Sequence, residues 1–292
     1  MAKGITFIGF GEAAMAFAGG GDGDGARGYD LKLDTAATRS AKLADFDRCG
    51  VTPCDTAAVA LADAGIVLSL VTADQALPAA ESAARAATVA ADTLWLDMNS
   101  VAPETKRAAA AALGHSERYV DVAVMAPVHP AGRAVPLLVS GPHAEAGAAA
   151  LERLGFTAVS VVGARVGEAS AIKMIRSVMV KGIEALSAEC VLAADAAGVR
   201  DAVIASLDAS WPGADWTRRF DYNLDRMMTH GIRRAEEMEQ VMLTLTGLGV
   251  SPLMAAATMQ WQRGIAERRR VVAPGLEGKL AALRPRMAGE AA

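Results

Sequence analysis

The 292-residue chain predicts an α/β domain with a mostly parallel sheet, followed by an all-α domain. Three observations lead there. In the first half, short β-rich runs alternate with longer alanine-rich stretches, the pattern of strands that return through crossover helices. Several of these runs are apolar throughout, as strands covered on both faces must be. From about Gly167 the strand signals stop, and apolar residues recur at helical spacing through Ile172, Ile175, Val178, Met179, Ile183, Leu186, Val191 and Leu192. The domains are therefore expected to be residues 1–165 and 166–292.

Strands are expected at 5–9, 28–33, 66–71, 93–97, 119–123, 136–140 and 158–162, the short β-rich runs of this half. Helices are expected between them at 13–19, 56–64, 73–90, 102–113 and 144–154. In the second half they fall at 200–209, 220–248 and 252–270, punctuated by Trp211–Pro212–Gly213 and Gly249. The glycine tract at 19–25 reads as a mobile surface loop. The chain beyond about Pro274 reads as a loosely docked tail.

A formal net charge of −4 without blocks of like charge offers no footprint for nucleic acid or an anionic membrane, so a small-molecule partner is expected. Apolar runs are broken well short of the roughly 20 residues of a membrane span. No secretory signal is read at the N-terminus, and a cytoplasmic location is expected. Cys49, Cys54 and Cys190 are an odd number without CxxC spacing, which points to reduced thiols. The histidines at 115, 129, 143 and 230 show no ligand spacing, and no metal is expected.

The most informative segment is Gly9–Phe10–Gly11–Glu12–Ala13–Ala14, at the end of the first strand. In G-x-G-x-x-A the first glycine permits a tight turn into a helix, and the second lets backbone approach a pyrophosphate. The small third residue lets helix and strand pack closely. Phosphate then meets unpaired N–H groups at a helix start. Asp30 follows about 20 residues later at the end of the second strand, placed to accept from the adenosine ribose hydroxyls. Together these predict a Rossmann domain that binds NAD or NADP. Asp30 favours NAD because a carboxylate there repels a 2′-phosphate, whereas Lys32 and Arg39 would stabilise one. Val71 and Thr72 lie where a dinucleotide passes toward the reaction centre, although Thr72 also suits a helix cap.

Four motifs together resemble the β-hydroxyacid dehydrogenase family, which includes 3-hydroxyisobutyrate and 6-phosphogluconate dehydrogenases. They are the glycine corner, Asp97–Met98–Asn99–Ser100, the stretch from Asp121 to Gly141, and Gly167–Glu168–Ala169–Ser170–Ala171–Ile172–Lys173. The resemblance runs from about Gly4 to Leu248. It implies a Rossmann domain, a helical domain, an active site in the cleft between them and homodimers built through the helices. It also implies that Lys173 is the catalytic lysine. An ammonium there would stabilise and protonate the oxygen that becomes negative on hydride transfer to a carbonyl, and alcohol oxidation runs the reverse.

The substrate side departs from the family. Ser177 stands where relatives have a substrate-orienting asparagine, preceded by Arg176. Met125 replaces the serine of the family's carboxylate-binding loop, leaving His129 and Arg133 as local polar alternatives. Ser100 suits either substrate contact or capping of the helix near Pro103. Asn99 lies at the carboxyl edge of the sheet, where the cofactor is expected. His230, Arg233 and Arg234 fall within about one helical turn and suit an anionic substrate, or else a salt-bridged face with Glu236 and Glu237.

The expected function is therefore hydride transfer between a nicotinamide and a small, anionic hydroxy or oxo compound. Lys173 would be the acid/base, and Ser100, His129, Ser177, His230 and Arg233 the substrate contacts. The alternatives are an imine reductase on the same scaffold, a dinucleotide-sensing protein without catalysis, and an isomerase or lyase using bound dinucleotide transiently.

Overall fold

The computed structural model describes residues 4–19, 25–86, 90, 92–114, 118–268 and 273–284. It divides into two compact units, Met1–Met174 and Ile175–Ala292. His115 and residues 20–24 of the glycine tract lie outside the described residues.

The first unit is built on an eight-stranded sheet in the order β3-β2-β1-β4-β5-β6-β7-β8. Its strands are β1 (Gly4–Ile8), β2 (Arg27–Tyr29), β3 (Thr52–Pro53), β4 (Ala64–Ser69), β5 (Leu94–Asp97), β6 (Tyr119–Val124), β7 (Leu137–Ser140) and β8 (Val159–Gly163). All neighbours pair in parallel except β6 with β7. Successive strand residues serve opposite faces, as the period of two requires. Phe7, Leu68, Leu96, Val120 and Val122 enter one core with Phe17 of α1 (Glu12–Ala18), Phe46 of α2 (Ala36–Arg48) and Leu151 of α6 (Ala144–Arg153). Ile8, Val67, Trp95 and Tyr119 enter the other, beneath α3 (Ala57–Leu61), α4 (Ala76–Arg85) and α5 (Pro103–Leu113).

Several elements differ from the sequence reading. Helix α2 carries no helical signal in the sequence, because its buried positions are Lys42 and Phe46; a lysine pointing inward erases the apolar stripe that marks an amphipathic helix. Strand β3 is a two-residue edge containing a proline, below any periodic signal. The expected strand at 28–33 ends at Tyr29 and continues as a 3₁₀ turn, Leu31–Leu33, capped by Asp30. The expected helix at 56–64 stops at Leu61, and Ala64 already belongs to β4. That at 73–90 opens as a 3₁₀ turn, Ala73–Gln75, before α4.

The second unit is helical: most of α7 (Glu168–Ala196), then α8 (Arg200–Ser210), α9 (Trp216–Gly247), α10 (Leu253–Glu267) and α11 (Gly275–Leu283). Ala188 and Val191 of α7 pack with Phe220, Leu224 and Met227 of α9 and Ile265 of α10. Helix α11 corrects the expectation of a loose tail. Leu276, Leu280 and Leu283 are buried in the same core, Lys279 reaches Asp221 at 2.7 Å, and Arg284 reaches Asp195 at 2.8 Å. The spacing of those leucines is helical, but nine residues between glycine and proline punctuation give too short a run to read.

Candidate active site

Helix α1 opens directly from β1 through Gly9–Phe10–Gly11. Gly9 adopts φ +81°, and a Cβ there would lie 2.6 Å from the Leu70 carbonyl oxygen, so this turn admits only glycine. A Cβ on Gly11 would meet no protein atom within 4 Å. Nothing in the fold demands glycine there, so the open space is available to a ligand pressed against the backbone. Ala14 is fully buried, as close helix–strand packing requires, whereas Glu12 is exposed and Ala13 half-buried.

The Phe10 peptide is held from both sides. Its N–H donates to Asp30 Oδ2 at 2.7 Å, and its carbonyl accepts from Lys42 Nζ at 2.7 Å. Its ring is fully buried and stacked on Phe46, with centroids 4.0 Å apart, so Phe10 offers a ligand backbone alone. Asp30 Oδ1 accepts from the Lys32 N–H at 2.9 Å. Each carboxylate oxygen thus keeps lone-pair capacity for a further donor. Lys42 is hidden in the sequence because α2 is. Arg39 is committed elsewhere, donating to the Leu33 carbonyl at 2.6 Å and to Asp55 at 2.5 Å, while Lys32 is exposed.

At the carboxyl edge of the sheet, Asn99 is 4% exposed and its amide is spent on structure. Oδ1 accepts from the Val71 N–H at 2.7 Å, and Nδ2 donates to Ser69 Oγ at 3.1 Å. Asn99 therefore clamps the ends of β4 and β5 together. Thr72 caps its 3₁₀ turn through backbone alone. Helix α5 is capped by Ala102, with no side-chain bond, so Ser100 is not its cap. Ser100 Oγ instead accepts from Lys173 Nζ.

Lys173 owes its place to the start of α7. Asp121 Oδ2 accepts from the Gly167 N–H at 3.2 Å and the Ser170 N–H at 3.0 Å. Ser140 Oγ accepts from the Ala169 N–H at 2.9 Å and donates to Asp121 at 3.1 Å. A carboxylate on unpaired N–H groups is the favourable polarity for a helix start. Behind it, Lys106 Nζ lies 2.8 Å from Asp97 and 3.3 Å from Asp121, with all three side chains at most 1% exposed. Tyr119 donates its hydroxyl to Asp97. Burial, and then the neighbouring Asp97 carboxylate, push that phenol well above its ordinary pKa. Lys106 and Tyr119 carry no functional signal in the sequence; each reads there as an ordinary helix or strand residue.

The loop after β6 carries Met125 half-buried and His129 exposed. Arg133 does not face a ligand. It donates to the carbonyls of Phe17 at 2.5 Å and Leu154 at 2.6 Å, tying the C-terminal ends of α1 and α6, where a cation is favoured.

In the second unit Ser177 is 5% exposed and accepts from Lys181 Nζ at 3.0 Å. Lys181 also pairs with Glu237 at 2.9 Å; burial is the larger influence on this amine and lowers its pKa. His230 is half-buried and Arg233 exposed, the latter 3.8 Å from Glu237. Arg234 turns inward onto Glu184, which also accepts from Gln262 at 2.8 Å. The three side chains therefore do not converge: Arg234 is a core ion pair. Among the described residues, no group of three or more His, Cys, Asp or Glu is arranged to hold a metal ion, and no helix is long and apolar enough to cross a membrane.

Known proteins give this arrangement a setting. A domain of unknown function, DUF1932, matches residues 194–265. The curated "Uncharacterized 28.5 kDa protein in 7S RNA 5′region" of Methanothermus fervidus is 26% identical over 174 residues. That match spans 60% of this chain and 66% of that protein, just under two thirds of its length. A conserved hypothetical protein from Sinorhizobium meliloti 1021 is 37% identical, with 97% and 96% of the two chains covered and a TM-score of 0.77. A conserved protein of unknown function, described as structurally similar to 3-hydroxyacid dehydrogenases, is 29% identical (90% and 97% covered, TM-score 0.69). At lower identity the fold is shared with Mycobacterium tuberculosis 3-hydroxyisobutyrate dehydrogenase in complex with L-serine (18%, 98% and 100% covered, TM-score 0.73). It is shared too with a Streptomyces aurantiacus imine reductase (23%, 89% and 94% covered, TM-score 0.53). The chain thus belongs to one family with the Sinorhizobium meliloti protein and shares the fold of the 3-hydroxyisobutyrate dehydrogenase-like proteins.

Proposed function

We propose that this protein is a nicotinamide-dependent oxidoreductase acting on a small, anionic hydroxy or oxo compound. The observation that carries the reading is the Lys173–Ser100 hydrogen bond at the carboxyl edge of β5, in the same unit as the glycine corner. A nicotinamide dinucleotide, when bound, supplies the hydride acceptor or donor. The residues that would hold it are the Gly9–Ala14 backbone at the pyrophosphate and Asp30 at the ribose, with Val71, Thr72 and Asn99 near the path to the reaction centre. The open face of Gly11 and the spare acceptor capacity of Asp30 fit that group. The Asp30 carboxylate, together with the commitment of Arg39 to Asp55, favours NAD over NADP.

Lys173 takes the proton from the substrate hydroxyl on oxidation, or gives one to the carbonyl oxygen on reduction. Ser100 holds the Lys173 amine at the sheet edge and offers its own hydroxyl to the substrate oxygen. Ser177, His230 and Arg233 are the contacts for the anionic end, joined by His129 on the loop after β6. Met125 brings an apolar thioether where a hydroxyl would bind a simple carboxylate, so the substrate differs from that of a 3-hydroxyisobutyrate dehydrogenase. The partner in assembly is a second copy, joined through α7. The free state of Cys49, Cys54 and Cys190 fits a reducing cytoplasm.

The test is turnover of a panel of small hydroxy and oxo acids with NAD(H) and NADP(H), beside direct binding of each dinucleotide. Lys173→Ala is expected to lower kcat by about 10²- to 10⁴-fold while cofactor affinity is kept, and NADH is expected to bind more tightly than NADPH. Undiminished turnover in Lys173→Ala would remove the lysine from the mechanism, and dinucleotide binding without turnover on any substrate would favour a sensing role.

A further inference from the structure

We propose that Lys106 is a positioning residue: its buried ammonium joins the strand end that carries Ser100 to the helix start that carries Lys173. The consequence for catalysis rests on the proposed function. The joining itself does not.

Asp97 and Asp121 are register partners on the adjacent strands β5 and β6, so their carboxylates enter the same buried layer. Two buried like charges at that spacing need a cation between them. Lys106, fully buried on α5, donates to the Asp97 carbonyl at 2.6 Å and to Asp97 Oδ1 at 2.8 Å, and stands 3.3 Å from Asp121 Oδ1. Each acid then leads outward to one half of the Lys173–Ser100 pair.

On one side, Asp97 Oδ1 accepts from the Asn99 N–H at 2.9 Å. Asn99 fixes the end of β4 through the Val71 N–H and Ser69, and Ser100 is the next residue. On the other side, Asp121 Oδ2 accepts from the N–H groups of Gly167 and Ser170 and from the Ser140 hydroxyl. Lys173 lies about one helical turn beyond Ser170. The Lys106 ammonium is thus the hub at which the two branches meet.

Stability is a poor reason for such a triad. A buried ion pair replaced by apolar residues of similar volume is often neutral or stabilising. Geometry is the better one, since a displacement of about 1 Å between reacting groups costs on the order of 10²-fold in rate.

The experiment is amide hydrogen exchange on the full-length protein carrying Asp97→Asn, Asp121→Asn or Lys106→Met, with β1 amides as the reference for global opening. Asp97→Asn should speed exchange of Gly167, Ala169 and Ser170 by about 10-fold or more, although these amides bond to Asp121 and Ser140 rather than to Asp97. Asp121→Asn should do the same for Val71 and Asn99, which bond to Asn99 and Asp97. Lys106→Met should loosen both groups. If Lys106→Met does not fold, the two Asp→Asn variants carry the reciprocal test. Changes confined to the amides that bond the altered side chain would overturn the proposal. On a substrate that the wild type turns over, all three variants should lose kcat by about 10²-fold, with KM and cofactor affinity within about twofold. Reciprocal loosening in a protein without turnover would uphold the coupling and overturn only the acid/base role of Lys173.

Discussion

Tyr119 shows how one buried side chain sets a pH limit. Its phenol donates to Asp97 in the core, and burial together with that carboxylate raises its pKa well above the ordinary range. Below about pH 10 neither the folded nor the unfolded chain ionises this group, so its contribution to stability is complete. Above that, the unfolded chain releases a proton that the folded chain retains, and stability falls as pH rises. Tyr29, which donates to Asp34 at 2.6 Å, shifts in the same direction, with burial the largest cause. Urea midpoints measured from pH 8 to 11 are therefore expected to decline above about pH 10, and less steeply in Tyr119→Phe, whose midpoint at pH 8 is already lower. An unchanged slope in Tyr119→Phe would remove Tyr119 as a source of the effect. At this scale the sequence is legible wherever a residue type is forced by backbone, as at Gly9. It is illegible wherever a charged side chain points inward, as at Lys42 and Lys106, because inward orientation is a tertiary fact.

Among the elements, helix α11 decides whether the core of the second unit is covered at this end. Leu280 is fully buried and its neighbours Leu276 and Leu283 share the same core, while Lys279 and Arg284 fix the outer face to Asp221 and Asp195. Leu280→Ala is expected to cost about 2–5 kcal/mol by cavity formation, read as a lower denaturation midpoint. A cost below about 0.5 kcal/mol, the range of a surface change, would show that α11 is not docked. The strongly periodic elements, β1, β4, β5, β6 and α9, are legible because their burial pattern is written in apolar residues. Helices α2 and α11 are not, the first because a lysine occupies its inner face and the second because its apolar run is so short.

For the whole molecule, the helical unit leaves an apolar stripe along α7 in which Ile175, Met179, Ile183 and Leu186 are 38–64% exposed. Their spacing of three and four residues is that of a helix seam able to meet a copy of itself. Light scattering is expected to give a dimer for the wild type and a monomer for Met179→Glu with Leu186→Glu; a dimer that survives both changes would place the interface elsewhere. The Rossmann frame and the helical unit after it are legible from motifs and periodicity. The candidate substrate contacts are legible only as a set of residue types, since Arg133 and Arg234 serve the scaffold instead. Arg133 has a wider meaning. By gripping the ends of α1 and α6 from the far end of the loop after β6, with Met125 donating its N–H to the Pro136 carbonyl at 2.9 Å, it closes that loop with buried Val128 as the one core contact needed between them. The exposed positions 126, 127 and 129 are thereby left open to rewriting at little cost to folding, so a lineage can change what this loop presents while its frame stays put.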